Sequence, residues 1–150
     1  MKKRDKSSIS SLEQYIEEKA ENPTYNKAFI HKSYKGRCPP FTTNELLELI
    51  GDKALDLVLY EQLYRSADGN LKRIEMDNER QKKTSEKGLA AVFDYYDLEK
   101  YVKKPDNKMS INRKVKHNIV ESLAGAIFLE EGYEKAKDLL TKFILDPVNN

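Results

Sequence analysis

The sequence predicts an all-α domain, and three observations lead to that expectation. Apolar residues recur at helical spacing along nearly the whole chain, no long run alternates with the period of two that a half-buried strand requires, and capping and breaking residues divide the chain into helix-sized pieces. At 150 residues the chain can bury one sizeable core and is too short for two ordinary ones. The expected organisation is a basic segment and first helix over 1–22, forming one domain with 23–147, followed by a tail at 148–150.

The elements follow in order. Ser10 with Glu13 can form a capping box for a first helix carrying Leu12, Tyr15 and Ile16. Asn22 and Pro23 start a second, which Gly36 can stop. After the loop GRCPPFTT, Thr42 can cap a long helix from about Asn44 to Arg65, with Glu45 three residues on. A charged helix from Leu71 to about Lys83 has only a thin apolar edge in Leu71, Ile74 and Met76, and belongs on the outside. Ser85 begins a helix through GLAAVFDYY, and KKPDNKMS reads as a loop. A second long helix, from about Ile111 to Glu131, ends at Gly132, and YEKAKDLLTKFI closes at Pro147.

Composition excludes more than it selects. The balance of 27 Lys plus Arg against 25 Asp plus Glu leaves a formal charge of +2, so any basic site must be local. Cys38 is alone, which suits a reducing compartment, and the serine-rich, charged amino end is no signal peptide. No apolar run approaches the roughly 20 residues that cross a bilayer. An intracellular protein, cytoplasmic or nuclear, is expected, with no membrane partner.

The chemistry concentrates in NELLELIGDKALDL, residues 44 to 57. Glu45, Glu48, Asp52 and Asp56 fall within a sector roughly 80° wide on a helix turning about 100° per residue. Gly51 interrupts that helix at a cost of about 1 kcal/mol relative to alanine. In NIVESLAGAIFL, Glu121 likewise precedes a run of small residues, Ala124, Gly125 and Ala126. Two helices crossing at these small residues could bring their carboxylates together, although two such groups about 6 Å apart repel by roughly 3 kcal/mol at an effective dielectric of 20. A divalent ion removes that repulsion; all-oxygen ligands suit Mg²⁺ or Mn²⁺, and the matching reaction class is metal-assisted phosphodiester hydrolysis. An acidic stripe is ordinarily a helix's solvated face, and Lys53 beside it fits that view. Spacing leaves both readings open.

Three ordered blocks resemble the ribonuclease III family: AFIHKSY at 28 to 34, NELLELIGDKALDLVLYEQLY from Asn44, and VESLAGAIFLEEGYEKA ending at 136. The resemblance implies an all-helical, dimeric endonuclease domain that cleaves double-stranded RNA with Mg²⁺, Mn²⁺ substituting, and leaves short 3′ overhangs. It places the catalytic metal ligands at Glu48, Asp52, Asn118 and Glu121, with Asn44 and Glu45 in support. Where the family has an aspartate, this chain has Asn118, which offers a carbonyl oxygen but no charge and no titratable proton. Attenuated or absent catalysis is therefore expected, in a natural pseudoenzyme or an altered enzyme; the alternative is a non-catalytic module that binds structured RNA or scaffolds a ribonucleoprotein. His117 is read as structural rather than as a ligand.

Leu49 stands where the family commonly has a phenylalanine at the dimer interface, and a homodimer remains the expectation. Leu46 stands where the family usually has an arginine. Duplex RNA is recognised mainly through its shape and phosphates. The expected phosphate partners are Lys82, Lys83, Lys103, Lys104, Lys108, Arg113, Lys114 and Lys116, of which the last four cluster before the second acidic helix. Tyr95 and Tyr96 are expected in the core or an interface. Bacterial family members typically continue into a double-stranded-RNA-binding domain; here the chain stops at LDPVNN, so either that domain is lacking or the chain is a piece.

Overall fold

The computed structural model describes residues 6–33, 43–104, 106 and 110–147, and among them every regular element is helical. The helices are α1 (Lys6–Glu18), α2 (Pro23–Ala28), α3 (Glu45–Ser66), α4 (Arg73–Lys83), α5 (Glu86–Tyr96), α6 (Arg113–Glu131) and α7 (Tyr133–Leu140). A 3₁₀ turn, Leu98–Tyr101, follows α5, and a π turn, Thr141–Leu145, follows α7. No helix among the described residues is long and apolar enough to cross a membrane.

α6 is the axis of the fold. From Asn118 to Ile127 every residue is buried, the pattern of a helix covered on all sides rather than along one stripe. Burying an Ile or Leu side chain stabilises by about 1.5–3 kcal/mol, so Ile119, Leu123 and Ile127 make α6 the largest single contributor to the core. α3 lies along one side of it through Leu47, Leu55, Val58 and Leu59, and α5 along another through Leu89, Val92, Phe93 and Tyr96. Tyr96 is fully buried and Tyr95 half-buried against it, as expected.

The crossing of α3 and α6 depends on two glycines. A Cβ added to Gly51 would stand 1.6 Å from the Glu121 carbonyl oxygen, and one added to Gly125 would stand 2.1 Å from that of Leu47. Each glycine therefore admits the other helix's backbone, which offsets its cost inside a helix.

Several caps match expectation. Asn22 Oδ1 accepts from Thr24 N at 2.8 Å, and Ser85 Oγ accepts from Gly88 N at 3.1 Å. α4 buries no residue and lies outside, although it starts at Arg73 rather than Leu71. Other boundaries differ. α1 begins at Lys6, so Ser10 lies within it instead of before it. α2 stops at Ala28, well short of Gly36, because the chain then runs into α3 contacts: Asn44 N donates to Ile30 O at 2.8 Å. Gly36, Cys38, Thr42 and Lys108 lie outside the described residues. α6 is capped by Asn112, whose Oδ1 accepts from Val115 N at 2.9 Å. Arg113, Lys114 and Lys116 consequently sit in its first turn and not before it.

Candidate active site

Because Gly51 and Gly125 let α3 and α6 touch, the acids within one turn of the two glycines lie near enough to act on one another electrostatically. Glu48 precedes Gly51 on α3, Asp52 follows it, and Glu121 lies one turn before Gly125 on α6. Burial raises the Glu121 carboxyl above its ordinary pKa, and the charges of Asp52 and Glu48 push it further up while His117 pulls it down. That mutual influence places the three acids in one electrostatic neighbourhood. Glu48 Oε2 is buried without a hydrogen-bond partner, and so is Asn44 Oδ1 one turn earlier on the same helix. Asp52 is partly exposed and pairs with Lys53 at 3.3 Å.

The acidic stripe read from the sequence divides. Glu45 is exposed and lines a groove with Leu46 and Leu129 instead of standing beside Glu121. Asp56 accepts a hydrogen bond from the Thr84 hydroxyl at 3.0 Å, tying α3 to the end of α4. Burial and the charge of Asp52 raise its pKa against the pull of Thr84. Asn44 is a structural link: its Nδ2 donates to Ala28 O at 3.2 Å, joining α2 to the start of α3.

Asn118 is buried, and imidazoles occupy both ends of its amide. Its Nδ2 lies 3.0 Å from His31 Nε2, and its Oδ1 lies 3.0 Å from His117 Nδ1. His117 Nε2 in turn meets Glu121 Oε1 at 2.5 Å. Ser33 N donates to His31 Nδ1 at 3.0 Å, and Ser122 Oγ donates to Asn118 O at 2.7 Å. Burial, aided by Lys32 and Lys114, depresses the His31 pKa to about 4, so this ring is neutral at neutral pH. Burial also pulls His117 down, but its contacts with Glu121 and Asn118 outweigh that and raise its pKa.

Both of the chain's two histidines therefore belong to one continuous line, His31–Asn118–His117–Glu121. From the sequence, His117 is expected to be structural rather than a ligand and His31 has no assigned role; the structure sets His117 at 2.5 Å from Glu121. The i, i+4 spacing of His117 and Glu121 on a helix was the available signal for the first. Nothing in the sequence brings residue 31 to residue 118.

The donor set suits a hard divalent cation: three carboxylates, one with a buried oxygen lacking a partner, beside an amide. Among the described residues no three His, Cys, Asp or Glu side chains are gathered tightly enough to grip an ion as they stand. One Glu121 oxygen is engaged by His117 instead.

The expected phosphate partners are unevenly committed. Arg113 pairs with Glu86 at 3.1 Å, Lys116 with Asp94 at 2.7 Å, Lys82 with Glu79 at 3.2 Å and Lys104 with Glu99 at 3.0 Å. Lys114 is exposed and makes no ion pair among the described residues. On another face, Leu46, Leu49 and Leu129 are 73%, 58% and 51% exposed, and Leu46 and Leu129 line a groove of 410 Å³ with Leu47 and Ile50.

Comparison with known proteins agrees with this architecture. A family model described as Ribonuclease-III-like matches residues 21–148. Ribonuclease 3 of Leptospira interrogans is 33% identical over 135 residues, covering 84% of this chain and 53% of that protein. Ribonuclease 3 of Nitratiruptor sp. is 32% identical over 126 residues, covering 79% and 52%. The chain thus spans about half the length of these relatives. A structure of the nuclease domain of ribonuclease III from Campylobacter jejuni, described for flexibility in the region involved in its dimer formation, matches with a TM-score of 0.71 at 28% identity, over 91% of this chain and 95% of that one. A second structure of that domain gives 0.71 at 25% identity, over 100% and 99%. With helices alone among its described elements and this match along most of its length, the chain belongs to the ribonuclease III-like family and has the fold of that family's nuclease domain.

Proposed function

We propose that the chain is the endonuclease domain of a ribonuclease III-type endoribonuclease, which hydrolyses phosphodiester bonds of double-stranded RNA as a homodimer and depends on a divalent ion. The observation that carries this reading is the glycine crossing of α3 and α6, which gives Glu48, Asp52 and Glu121 one neighbourhood and leaves Glu48 Oε2 buried without a partner. Mg²⁺, with Mn²⁺ substituting, is the ion that Glu48, Asp52, Asn118 and Glu121 would hold. Bound there, it supplies Lewis acidity and lowers the pKa of water. The chain's own part is positional: Glu121 and Asn118 are fixed on a buried helix, and Glu48 and Asp52 on the helix clamped against it. Asn118 accepts hydrogen bonds but holds no negative charge and no titratable proton, so hydrolysis is attenuated.

The homodimer reading is supported by the exposed leucines Leu46, Leu49 and Leu129, of which Leu46 and Leu129 line one groove. The domain is taken to comprise α1 together with the family-matched remainder, and to work in a reducing intracellular compartment. Lys114, with Arg113 and Lys116 beside it in the first turn of α6, is the proposed contact for RNA phosphates.

A second reading is favoured by one observation, the occupation of both ends of the Asn118 amide by imidazoles. On it the chain is a non-catalytic module that binds structured RNA. Incubating a labelled RNA duplex with Mg²⁺ and then Mn²⁺ decides between them, comparing the protein with its Asn118→Asp variant. Slow cleavage that accelerates in the variant supports the nuclease. Intact duplex in all four samples, with duplex binding retained, supports the module.

A further inference from the structure

Position 117 adds a group of its own to the candidate site. His117 is four residues before Glu121 on the same helical face, its Nε2 is 2.5 Å from Glu121 Oε1, and Glu121's side chain is only 5% exposed. Its other nitrogen, Nδ1, is held at 3.0 Å by Asn118, whose amide is held in turn by His31. The imidazole therefore cannot swing freely away from the carboxylate. With Nδ1–H donating to Asn118 Oδ1 and Nε2–H donating to Glu121 Oε1, the ring carries both protons and sets a positive charge against the carboxylate. A buried carboxylate that lies near Glu48 and Asp52 requires a positive partner or donor, and His117 is that partner.

We propose that His117 is a positioning residue that latches Glu121: its imidazole occupies Oε1 when no ion is bound, and a divalent cation must compete with it for that oxygen. The inference rests on the proposed metal site and adds to it a resident competitor. Asn118 and His117 then act together. The amide lowers the charge of the site, and the imidazole it steadies takes up one of the remaining carboxylate oxygens. Weak divalent binding follows from both.

The test is Mn²⁺ titration by calorimetry at pH 8 on the full chain and its His117→Ala, His117→Gln and Glu48→Gln variants. Releasing a hydrogen bond to a charged group is expected to tighten Mn²⁺ binding about tenfold or more in His117→Ala. His117→Gln, which retains an N–H donor, should fall between, and Glu48→Gln should lose binding. Equal or weaker binding in His117→Ala, with binding still dependent on Glu48, overturns the latch and leaves the metal site standing. No binding in any protein overturns both. A readout on the unaltered protein covers the case of a variant that does not fold. Mg²⁺ should shift the ¹⁵N resonances of the His117 ring as its Nε2 loses Glu121, while His31 moves less. An unmoved His117 ring, with backbone amides at Glu48 and Glu121 shifting, removes the latch.

Discussion

The backbone of Gly51 lies directly against the Glu121 carbonyl, so close that a Cβ there would stand 1.6 Å from the oxygen. The obstacle is main chain inside a buried helix, which cannot rotate away as a side-chain tip could. Gly51→Ala should gain about 1 kcal/mol of helix propensity and lose considerably more to overpacking, for a net loss of at least about 2 kcal/mol. In a domain of this size that is a fall in Tm of roughly 5 °C or more. Leu57→Ala, at an exposed position of the same helix, is the control and should change stability by less than about 0.5 kcal/mol. Thermal unfolding followed by circular dichroism measures both. A Gly51→Ala protein as stable as its parent would mean that the helices do not cross at this point.

That crossing was legible in the sequence because it has a local signature: glycine where a helix disfavours it, twice, each about one turn or less from an acid. The capped elements were legible for the same reason, since Asn22 and Ser85 act on their own next few residues. What failed was non-local. Nothing near Ala28 signals the end of α2, because that end is set by contacts with the start of α3. The line from His31 through Asn118 to His117 was invisible for the same reason: His31 is brought to Asn118 by the fold, and only then does His117 have a fixed neighbour on each side. Glu45 shared the acidic sector of α3, yet it falls at the helix's first turn and faces the leucine groove.

The leucines of that face make a separate prediction. Leu46 and Leu49 are largely exposed, so a charge at either position costs the monomer little. A specific interface needs roughly 1,000 Å² or more and tolerates buried unpaired charge poorly. Leu49→Asp, and more so Leu46→Asp with Leu49→Asp, should shift the proposed dimer to monomer while leaving the helical signal intact. Sedimentation over a range of concentrations measures this. A variant that self-associates like its parent would place any interface elsewhere.

Basic residues in the first turn of α6 should not contribute equally to RNA binding. Arg113 and Lys116 already face Glu86 and Asp94, whereas Lys114 is exposed without such a partner among the described residues. Each neutralised phosphate steepens the slope of log affinity against log salt by about 0.7–0.9. Lys114→Ala should reduce that slope by about one such step, and Arg113→Ala by less. Duplex binding measured at several salt concentrations tests the ranking, and an unchanged slope in Lys114→Ala would exclude the residue as a phosphate contact.

Glu131 closes α6 where α1 and α7 meet it, and it gives the fold a defined acid limit. Lys135 Nζ lies 2.9 Å from its carboxylate and Lys19 Nζ 3.3 Å, and the Tyr15 hydroxyl donates to it at 2.8 Å. The bond from Lys135 acts most strongly; burial opposes it, Tyr15 and Lys19 reinforce it, and the carboxyl is held down to about 2 from an ordinary 4.5. A folded-state pKa below the unfolded one means that the folded chain favours the ionised form. Its stabilisation is then complete above about 4.5 and is lost as pH falls towards about 2. Glu131→Gln should cost about 1–3 kcal/mol at pH 7, as expected for hydrogen bonds to a charged group. Because other carboxylates titrate alike in both proteins, the difference between them isolates this one. Urea unfolding of parent and variant at pH 7, 4.5, 3 and 2 should show a gap that is constant down to about 4.5 and shrinks below it. If the gap persists undiminished at pH 2, then the charge of Glu131 is not what joins α1, α6 and α7.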